Sequence, residues 1–320
     1  MDNILMKSNK LNSLIENSLT FSSKFLRMKF IKLLVIVVLF SACNNVESKF
    51  LVDVKYISEI DSFFETKMKE RQGNYLQLVA LHRLEEGSNT FGKDENNSLS
   101  LKIDALPATI GNVLMKGEPL TFIAAENVMI NTKNDSLITE TPLTLDKYGS
   151  SEKLYHNELN WQIITRSKQH YLRIWNTQNP AIEAFKGFQK FDLNNNFIYD
   201  ADFTFYEKEK SEIVKAEVDG KRSTNFIGKV SFTYDNKSYS LEVGSGGFTM
   251  VADSTTGETT YGGGRYMYIQ LPKENSKVIL DFNKLYNPPC AFSEFTTCLY
   301  PPRQNHLPFA ILAGEMITLK

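Results

Sequence analysis

Ionisable and hydroxyl-bearing residues gather toward the C-terminal end of this chain, and their types suit chemistry on an anion. Thr260-Tyr261-Gly262-Gly263-Gly264-Arg265 places three glycines before an arginine. Glycine lets a ligand approach the backbone, and a guanidinium pairs with carboxylate or phosphate through two parallel hydrogen bonds. The run lacks the Gly-Lys-Ser/Thr of a phosphate-binding loop and opens no helix, so the simpler reading is a hairpin or bulge. Around it stand Asp253, Asp281, Asn283, Asn287 and Glu315. If Asp253, Arg265, Asp281, Asn283 and Glu315 converge, two carboxylates in one pocket could divide acid and base roles once burial separates their pKa values. Such residues at strand ends also cap turns, and a structural Asp281–Arg265 pair is an equal alternative. The candidate pocket is therefore Asp253, Thr260, Tyr261, Arg265, Asp281, Asn283, Asn287 and Glu315.

Cys290 and Cys298 lie eight residues apart and, with Cys43, are the three cysteines of the chain. In an exported protein the pair reads first as a short disulfide pinning a proline-rich segment. A zinc site would want four ligands, and only His306 is near in sequence. A Cys290–His306 nucleophile is a further alternative, but flanking prolines suit a static loop better than an activated thiolate. Asp192-x-Asn194-x-Asn196-x-x-x-Asp200 imitates a calcium loop without its glycine or terminal glutamate. His82, His156 and His170 show no ligand spacing. The expectation is no metal and no cofactor.

The N-terminus reads as an address. Phe30 to Phe40 is apolar except for Lys32, follows Lys24, Arg27 and Lys29, and ends in Ser41-Ala42-Cys43. A basic segment, a short apolar run and small residues before a cut site describe a secretory signal, and the run is too short to span a bilayer. Phe40-Ser41-Ala42-Cys43 resembles the bacterial lipobox, in which the cysteine is lipidated and becomes the mature N-terminus. Phe40 stands where Leu is usual. A lipoprotein cysteine carries two or three acyl chains, enough for stable attachment. Residues 1 to 27 are long and polar for a signal, and Met28-Lys29 makes a better start.

The whole chain has 36 Lys+Arg against 37 Asp+Glu, with 42% hydrophobic and 23% charged residues. These values exclude a disordered chain and a disulfide-dense mini-scaffold. Cleavage before Cys43 removes six of the basic and two of the acidic side chains, leaving 30 against 35, a net of −5. Neither balance suits a nucleic-acid binder. After a tether at 43–57, Ser58 to Gln72 reads as a helix with an apolar stripe of Ile60, Phe63, Phe64 and Met68, started by Ser58-x-x-Asp61 and stopped at Gly73. Short strands with Gly, Asn, Asp and Pro between them follow, among them Leu159 to Thr165, Tyr171 to Trp175, Thr224 to Tyr234 and Arg265 to Gln270. The fold class is mainly β, an N-terminal helix plus two β-rich modules of sandwich or barrel type. The expected organisation is a signal at 1–42, the tether, a helix and first β-module at 58–178, and a second β-module with the C-terminal motif at 179–320.

Two resemblances add to this. Gly73-Asn74-Tyr75-Leu76, Leu84-Glu85-Glu86-Gly87 to Gly92, and the segment from Asp253 to Glu315 resemble the bacterial family called "domain of unknown function 1684". The most specific parts are Asp253-x-Thr255-x-Gly257-x-x-Thr260-Tyr261-Gly262-x-Gly264-Arg265, Leu280-Asp281-Phe282-Asn283, Tyr286-Asn287-Pro288-Pro289-Cys290-Ala291-Phe292 and Ala313-Gly314-Glu315. Leu299 and His306 depart from the family's usual Pro and Arg. The resemblance implies no assigned reaction. Glu86-Gly87 to Leu101 is also similar to the opening of forkhead-associated domains, which implies a sandwich. The phosphothreonine-reading Arg and Ser-x-x-His of that family are missing, with Lys93 and Pro107-Ala108-Thr109-Ile110-Gly111 in their places.

The resulting expectation is a membrane-anchored lipoprotein of the cell envelope, facing the periplasm or exterior, that binds a small ligand or an envelope protein. The alternative is a hydrolase using Asp281 and Glu315 with Arg265. Mass spectrometry of the native protein is expected to find a lipid-modified Cys43 at the mature N-terminus and no peptide from upstream of Met28. An unmodified Cys43 would overturn the anchor, and an upstream peptide the start site.

Overall fold

The computed structural model describes residues 50, 52–104 and 106–317. The signal at 1–42, the lipidation at Cys43 and the first part of the tether lie outside the described residues. The described body opens with helix α1 (Val54–Gly73), four residues earlier than the sequence pattern suggests. Its cap is Asp53, whose side chain accepts from Tyr56 N at 2.8 Å, so the Ser58/Asp61 pair is not used as a start signal. Ile60 and Phe64 of the expected stripe are buried.

Eleven strands follow up to Asn176: β1 (Leu78–Arg83), β2 (Gly87–Gly92), β3 (Leu99–Ser100), β4 (Gly111–Met115), β5 (Leu120–Ala124), β6 (Ile130–Thr132), β7 (Leu137–Ile138), β8 (Glu140–Leu143), β9 (Leu154–His156), β10 (Leu159–Arg166) and β11 (Gln169–Asn176). They form a six-stranded sheet in the order β1-β11-β10-β9-β6-β7 and a five-stranded sheet in the order β3-β2-β4-β5-β8. One core joins the two. Phe91, Val113 and Phe122 of the second sheet pack with Trp161, Ile163, Leu172 and Ile174 of the first, and the Trp161 ring lies 5.2 Å from Phe91 and 5.5 Å from Phe122. This is a two-layer β-sandwich.

A single helical turn, α2 (Ala181–Ala184), leads to the second set: β12 (Ile198–Ala216), β13 (Gly220–Tyr234), β14 (Lys237–Gly244), β15 (Phe248–Val251), β16 (Arg265–Tyr268) and β17 (Ser276–Asp281). A four-stranded sheet runs β14-β13-β12-β17, and β15 pairs with β16. The two stretches Phe197 to Tyr206 and Ile213 to Val218, which read as separate strands, are one long strand. A register shift between Phe205 and Lys210 absorbs the polar residues between them. Asp235 and Asn236, both with positive φ, make the two-residue turn from β13 to β14. The core of this half takes Phe203, Val230 and Leu241 from the sheet and Leu307, Ile311 and Ala313 from the C-terminal segment. Helix α1 packs Ile60 and Phe64 against Val214, Phe226, Tyr266 and Tyr286. No helix among the described residues is long and apolar enough to cross a membrane.

What matters for the site is the second face of the six-stranded sheet. Along β11, Leu172 and Ile174 enter the sandwich core. The alternation of a strand therefore turns Tyr171, Arg173 and Trp175 outward. Arg173 is in register with Gln162 of β10, and Trp175 with Asn160. That outer face is covered by residues of the second half, and the cover leaves a cleft.

Candidate functional site

The eight motif residues do not form an open pocket. Arg265 is fully buried at the start of β16. Its Nη2 pairs with Asp253 Oδ2 at 2.8 Å and donates to Ile311 O at 3.0 Å, and its Nη1 donates to Ala313 O at 2.5 Å and Glu315 O at 3.1 Å. Asp253 Oδ1 accepts from Thr255 N and Oγ1, and Thr255 Oγ1 meets Thr260 Oγ1 at 2.9 Å. Arg265 thus clamps the C-terminal segment by its carbonyls. Burial pulls its guanidinium pKa down, with Asp253 opposing.

Glu315 turns away from this clamp. Its side chain meets Arg71 of α1, with Nη1–Oε1 at 2.6 Å and Nη2–Oε2 at 2.9 Å, and accepts from Asn287 N at 2.6 Å. Both Arg71 and Glu315 are buried. Burial pushes the Glu315 carboxyl up, and Arg71 works against it. Asp281 makes a third, separate contact. Tyr56 Oη lies 3.0 Å from each of its oxygens, and Asn283 N donates to Oδ1 at 3.0 Å. Burial raises the Asp281 carboxyl, and Lys284 opposes.

The expected convergence of Asp253, Arg265, Asp281, Asn283 and Glu315 therefore separates into three buried contacts, because each carboxylate is taken by a different donor. No Asp281–Arg265 pair forms among the described residues. The glycine run serves the backbone. Gly264 holds φ +78°, and a Cβ there would lie 2.5 Å from Pro301 Cγ, so the loop is packed where a ligand would have to approach. Asn194, part of the calcium-like spacing, caps the turn at 195–197 and exchanges two hydrogen bonds with Asn283.

Cys290 and Cys298 stand as two free cysteines, not as the expected bridge. Cys298 Sγ accepts from Cys290 N at 3.0 Å and lies 3.6 Å from Thr296 Oγ1. The thiol hydrogen bond between them favours the Cys298 thiolate and pushes Cys290 up. His306 is exposed, and its Nε2 meets Pro301 O at 3.2 Å, so it forms no pair with Cys290.

The open feature is the cleft on the outer face of the six-stranded sheet, with a volume of about 610 Å³. Lys153, Arg166 and Arg173 line it from the sandwich, Arg222 and Thr297 from the second half, and Trp175 forms part of its wall. Among the described residues, no carboxylate lines it. Thr297 is the point on which the arginines close. Its Oγ1 accepts from Arg166 Nε at 3.3 Å and Arg173 Nη2 at 3.5 Å, and its carbonyl accepts from Arg222 Nη1 at 3.2 Å. Asp219 pairs with Arg222 at 3.0 and 3.1 Å and supports Arg166 from further off. Burial works against the Asp219 carboxylate, but Arg222 and Ser167 outweigh it and hold its pKa below the usual range.

Lys153, Arg166 and Arg173 form no ion pair among the described residues, and Asp219 offsets burial at Arg166 only through space. Burial, and then Arg166, push Arg173 down to about 10. Burial, and then Arg222, lower Arg166, while burial and Arg173 lower Lys153. Arg173 Nε is buried without a hydrogen-bond partner among the described residues. Lys153 Nζ sits 3.9 Å from the centre of the Trp175 ring, and Trp175 Nε1 donates to Asn74 Oδ1 at 2.8 Å, tying the end of α1 to the wall. Like charges gathered in low dielectric, with one donor left over, favour an incoming anion.

Residues 183–316 match the family described as "Protein of unknown function (DUF1684)". Over that segment the chain is similar to this family. The match begins beyond the Gly73 to Gly92 stretch that also resembles it. A solution NMR structure of an uncharacterized protein from Haloarcula marismortui is 30% identical over 42% of this chain and 78% of that one, with a TM-score of 0.36. Curated proteins give no match. The DUF1684 segment supplies Arg222, Tyr266 and Thr296 to Leu299 to the cleft, whereas Lys153, Arg166, Arg173 and Trp175 precede it.

These cleft cations are what the sequence reading missed. One signal was present: Leu172 and Ile174 alternate with Arg173 and Trp175, so the strand's second face carries a cation and a large aromatic where a solvent face would carry small polar residues. For the buried pair, Glu315→Ala is expected to lower stability to denaturant by about 3–5 kcal/mol, because it leaves Arg71 buried and unpaired. Arg71→Met combined with Glu315→Met should recover a large part of that loss. A Glu315→Ala cost under ~1 kcal/mol would show that the pair does not hold the C-terminal segment.

Proposed function

We propose that this is a lipid-anchored protein of the cell envelope that binds a small anionic ligand in the cleft between its sandwich and its DUF1684 segment. The observation that carries the reading is the set of Lys153, Arg166, Arg173 and Arg222 around one cavity with a buried, unpartnered Arg173 Nε. A cavity of this size suits a small molecule. Guanidinium groups aimed at a common point suit phosphate or carboxylate oxygens. The signal and lipobox sequence at 30–43 supports the envelope address. Binding in place of hydrolysis is supported by the burial of Arg265, Asp281 and Glu315 in separate contacts.

Export would also place Cys290 and Cys298 in an oxidising compartment. There the two thiols would close to a disulfide, two S–H bonds giving one S–S bond while two electrons and two protons pass to a disulfide-bearing oxidant. Cys298 lines the cleft next to Thr297, so the bridge would stiffen the wall on which the arginines close. Thiol counting on the native, unreduced protein is expected to find neither free, and two after reduction. Two free thiols before reduction would refute the bridge.

The binding reading is tested through Trp175, one of only two tryptophans, the other being the buried core residue Trp161. Inorganic phosphate is expected to change the tryptophan fluorescence saturably and to raise the melting temperature. Arg173→Met should abolish both responses. It should also raise the melting temperature of the ligand-free protein by about 2–4 °C, corresponding to ~1 kcal/mol, because it removes a buried, uncompensated charge. A variant that binds phosphate as the parent does, or is less stable without ligand, would overturn the reading.

A further inference from the structure

The basic cleft does not end at the arginines. A second cavity of about 700 Å³ adjoins it, and the two share Gly73, Asn74, Tyr75, Phe248, Tyr266 and Pro289 as common walls. The far arm adds Tyr268 and Tyr286 as aromatic lining, with Lys67 and Glu70 at its rim. A cationic cavity and a tyrosine-rich one thus lie side by side along a shared wall, together called the trough.

Each end restricts the chemistry of an occupant. At the cationic end four positive side chains face one carboxylate, Asp219, so a single negative charge would leave most of the field unmatched. A phosphate monoester brings about −1.5 to −2 charge at neutral pH and three strong acceptor oxygens. At the other end the rings are set edge to face. Phe248 and Tyr266 are 4.9 Å apart at 83°, and Tyr266 and Tyr286 are 6.2 Å apart at 86°. Such a wall presents no pair of parallel faces between which a flat base could stack. Its open ring is Tyr268, beside the Lys67 ammonium and the Glu70 carboxylate, while Tyr266 and Tyr286 are buried, the Tyr266 hydroxyl is held by Leu299 and Lys67 Nζ lies 4.5 Å over the Tyr286 ring. That mixture suits a chair-shaped ring with an axial C–H face and a rim of hydroxyls.

Resting on the anion-binding reading, we propose that the trough takes a phosphorylated sugar, with its phosphate among Lys153, Arg166, Arg173 and Arg222 and its pyranose ring in the tyrosine arm. Tyr268 is the residue that separates the two halves of the idea. It lines the sugar arm, lies away from the arginines and is 57% exposed, so its removal leaves the core intact.

The test is a fluorescence and calorimetric titration of the detergent-solubilised full chain with inorganic phosphate, glucose, glucose 6-phosphate and adenosine 5′-monophosphate. Glucose 6-phosphate is expected to bind at least tenfold tighter than phosphate and than the nucleotide, with glucose alone weakest. Tyr268→Ala should bring glucose 6-phosphate to the affinity of phosphate and leave phosphate itself unchanged. Equal affinity for phosphate and glucose 6-phosphate, or tighter binding of the nucleotide, would overturn the sugar assignment while anion binding stands. No response to any of the three anions would overturn both.

Discussion

Arg71, in the last turn of helix α1, is buried against Glu315. The rest of the site depends on that contact. A buried guanidinium without its carboxylate is strongly unfavourable, so α1 and the C-terminal segment have to arrive together. The helix is also fastened from the side, since the Arg71 guanidinium lies 4.2 Å from the Phe292 ring and 4.6 Å from the Phe188 ring. Beyond the helix end, Gly73, Asn74 and Tyr75 form the wall shared by the two arms of the trough. Arg265 fixes the same C-terminal segment from the other side by holding its carbonyls. Arg265, which looks from sequence like a ligand-binding group, is therefore, together with Arg71, a fastener of the C-terminal segment beside the opening.

The cleft has opposite energetics. Arg265 and Arg71 are each matched by a carboxylate, Asp253 and Glu315. Arg166 donates to the Thr297 hydroxyl and to Thr165 O at 2.7 Å, and Arg173 donates to the Thr297 hydroxyl, but neither forms an ion pair among the described residues. Stability alone would not place them there, because both lose hydration, Arg166 lowers the pKa of Arg173 and Arg222 lowers that of Arg166. Tension of this kind is what a binding site retains and a core eliminates. The matched arginines measure, within the same protein, what a purely structural arrangement looks like.

Much of the fold could be read along the chain. Apolar alternation located β10, β11, β13 and β16 within a few residues, and the mainly β class with one leading helix follows from it. What escaped is instructive. β2 and β4 carry Gly87-Ser88-Asn89-Thr90 and Gly111-Asn112, which read as turns. Asn89 is nevertheless buried, bonding to the backbone of Glu85 and Val113. Gly111 is required because a Cβ would lie 2.6 Å from the Phe122 ring. Local composition cannot report a partner that tertiary packing supplies. The motif at 253–315 was legible as a cluster, but which carboxylate faces which donor depends on Arg71 and Tyr56, some two hundred residues earlier. The cleft was hidden for the same reason. Its cations come from β10, β11, β13 and the loop before β9, and only the pairing of Gln162 with Arg173 and the approach of Thr297 bring them together.

The division of labour across residue 183 has an evolutionary corollary. The fasteners Arg265, Asp253, Asn287 and Glu315 sit in the DUF1684 segment, while three of the four cleft cations sit before it, on β10, β11 and the loop before β9. A lineage can therefore exchange the charge or width of the trough by point changes at Lys153, Arg166 and Arg173 without disturbing the scaffold. On the anion-binding reading, the motif at 253–315 marks the chassis and leaves the cargo unstated.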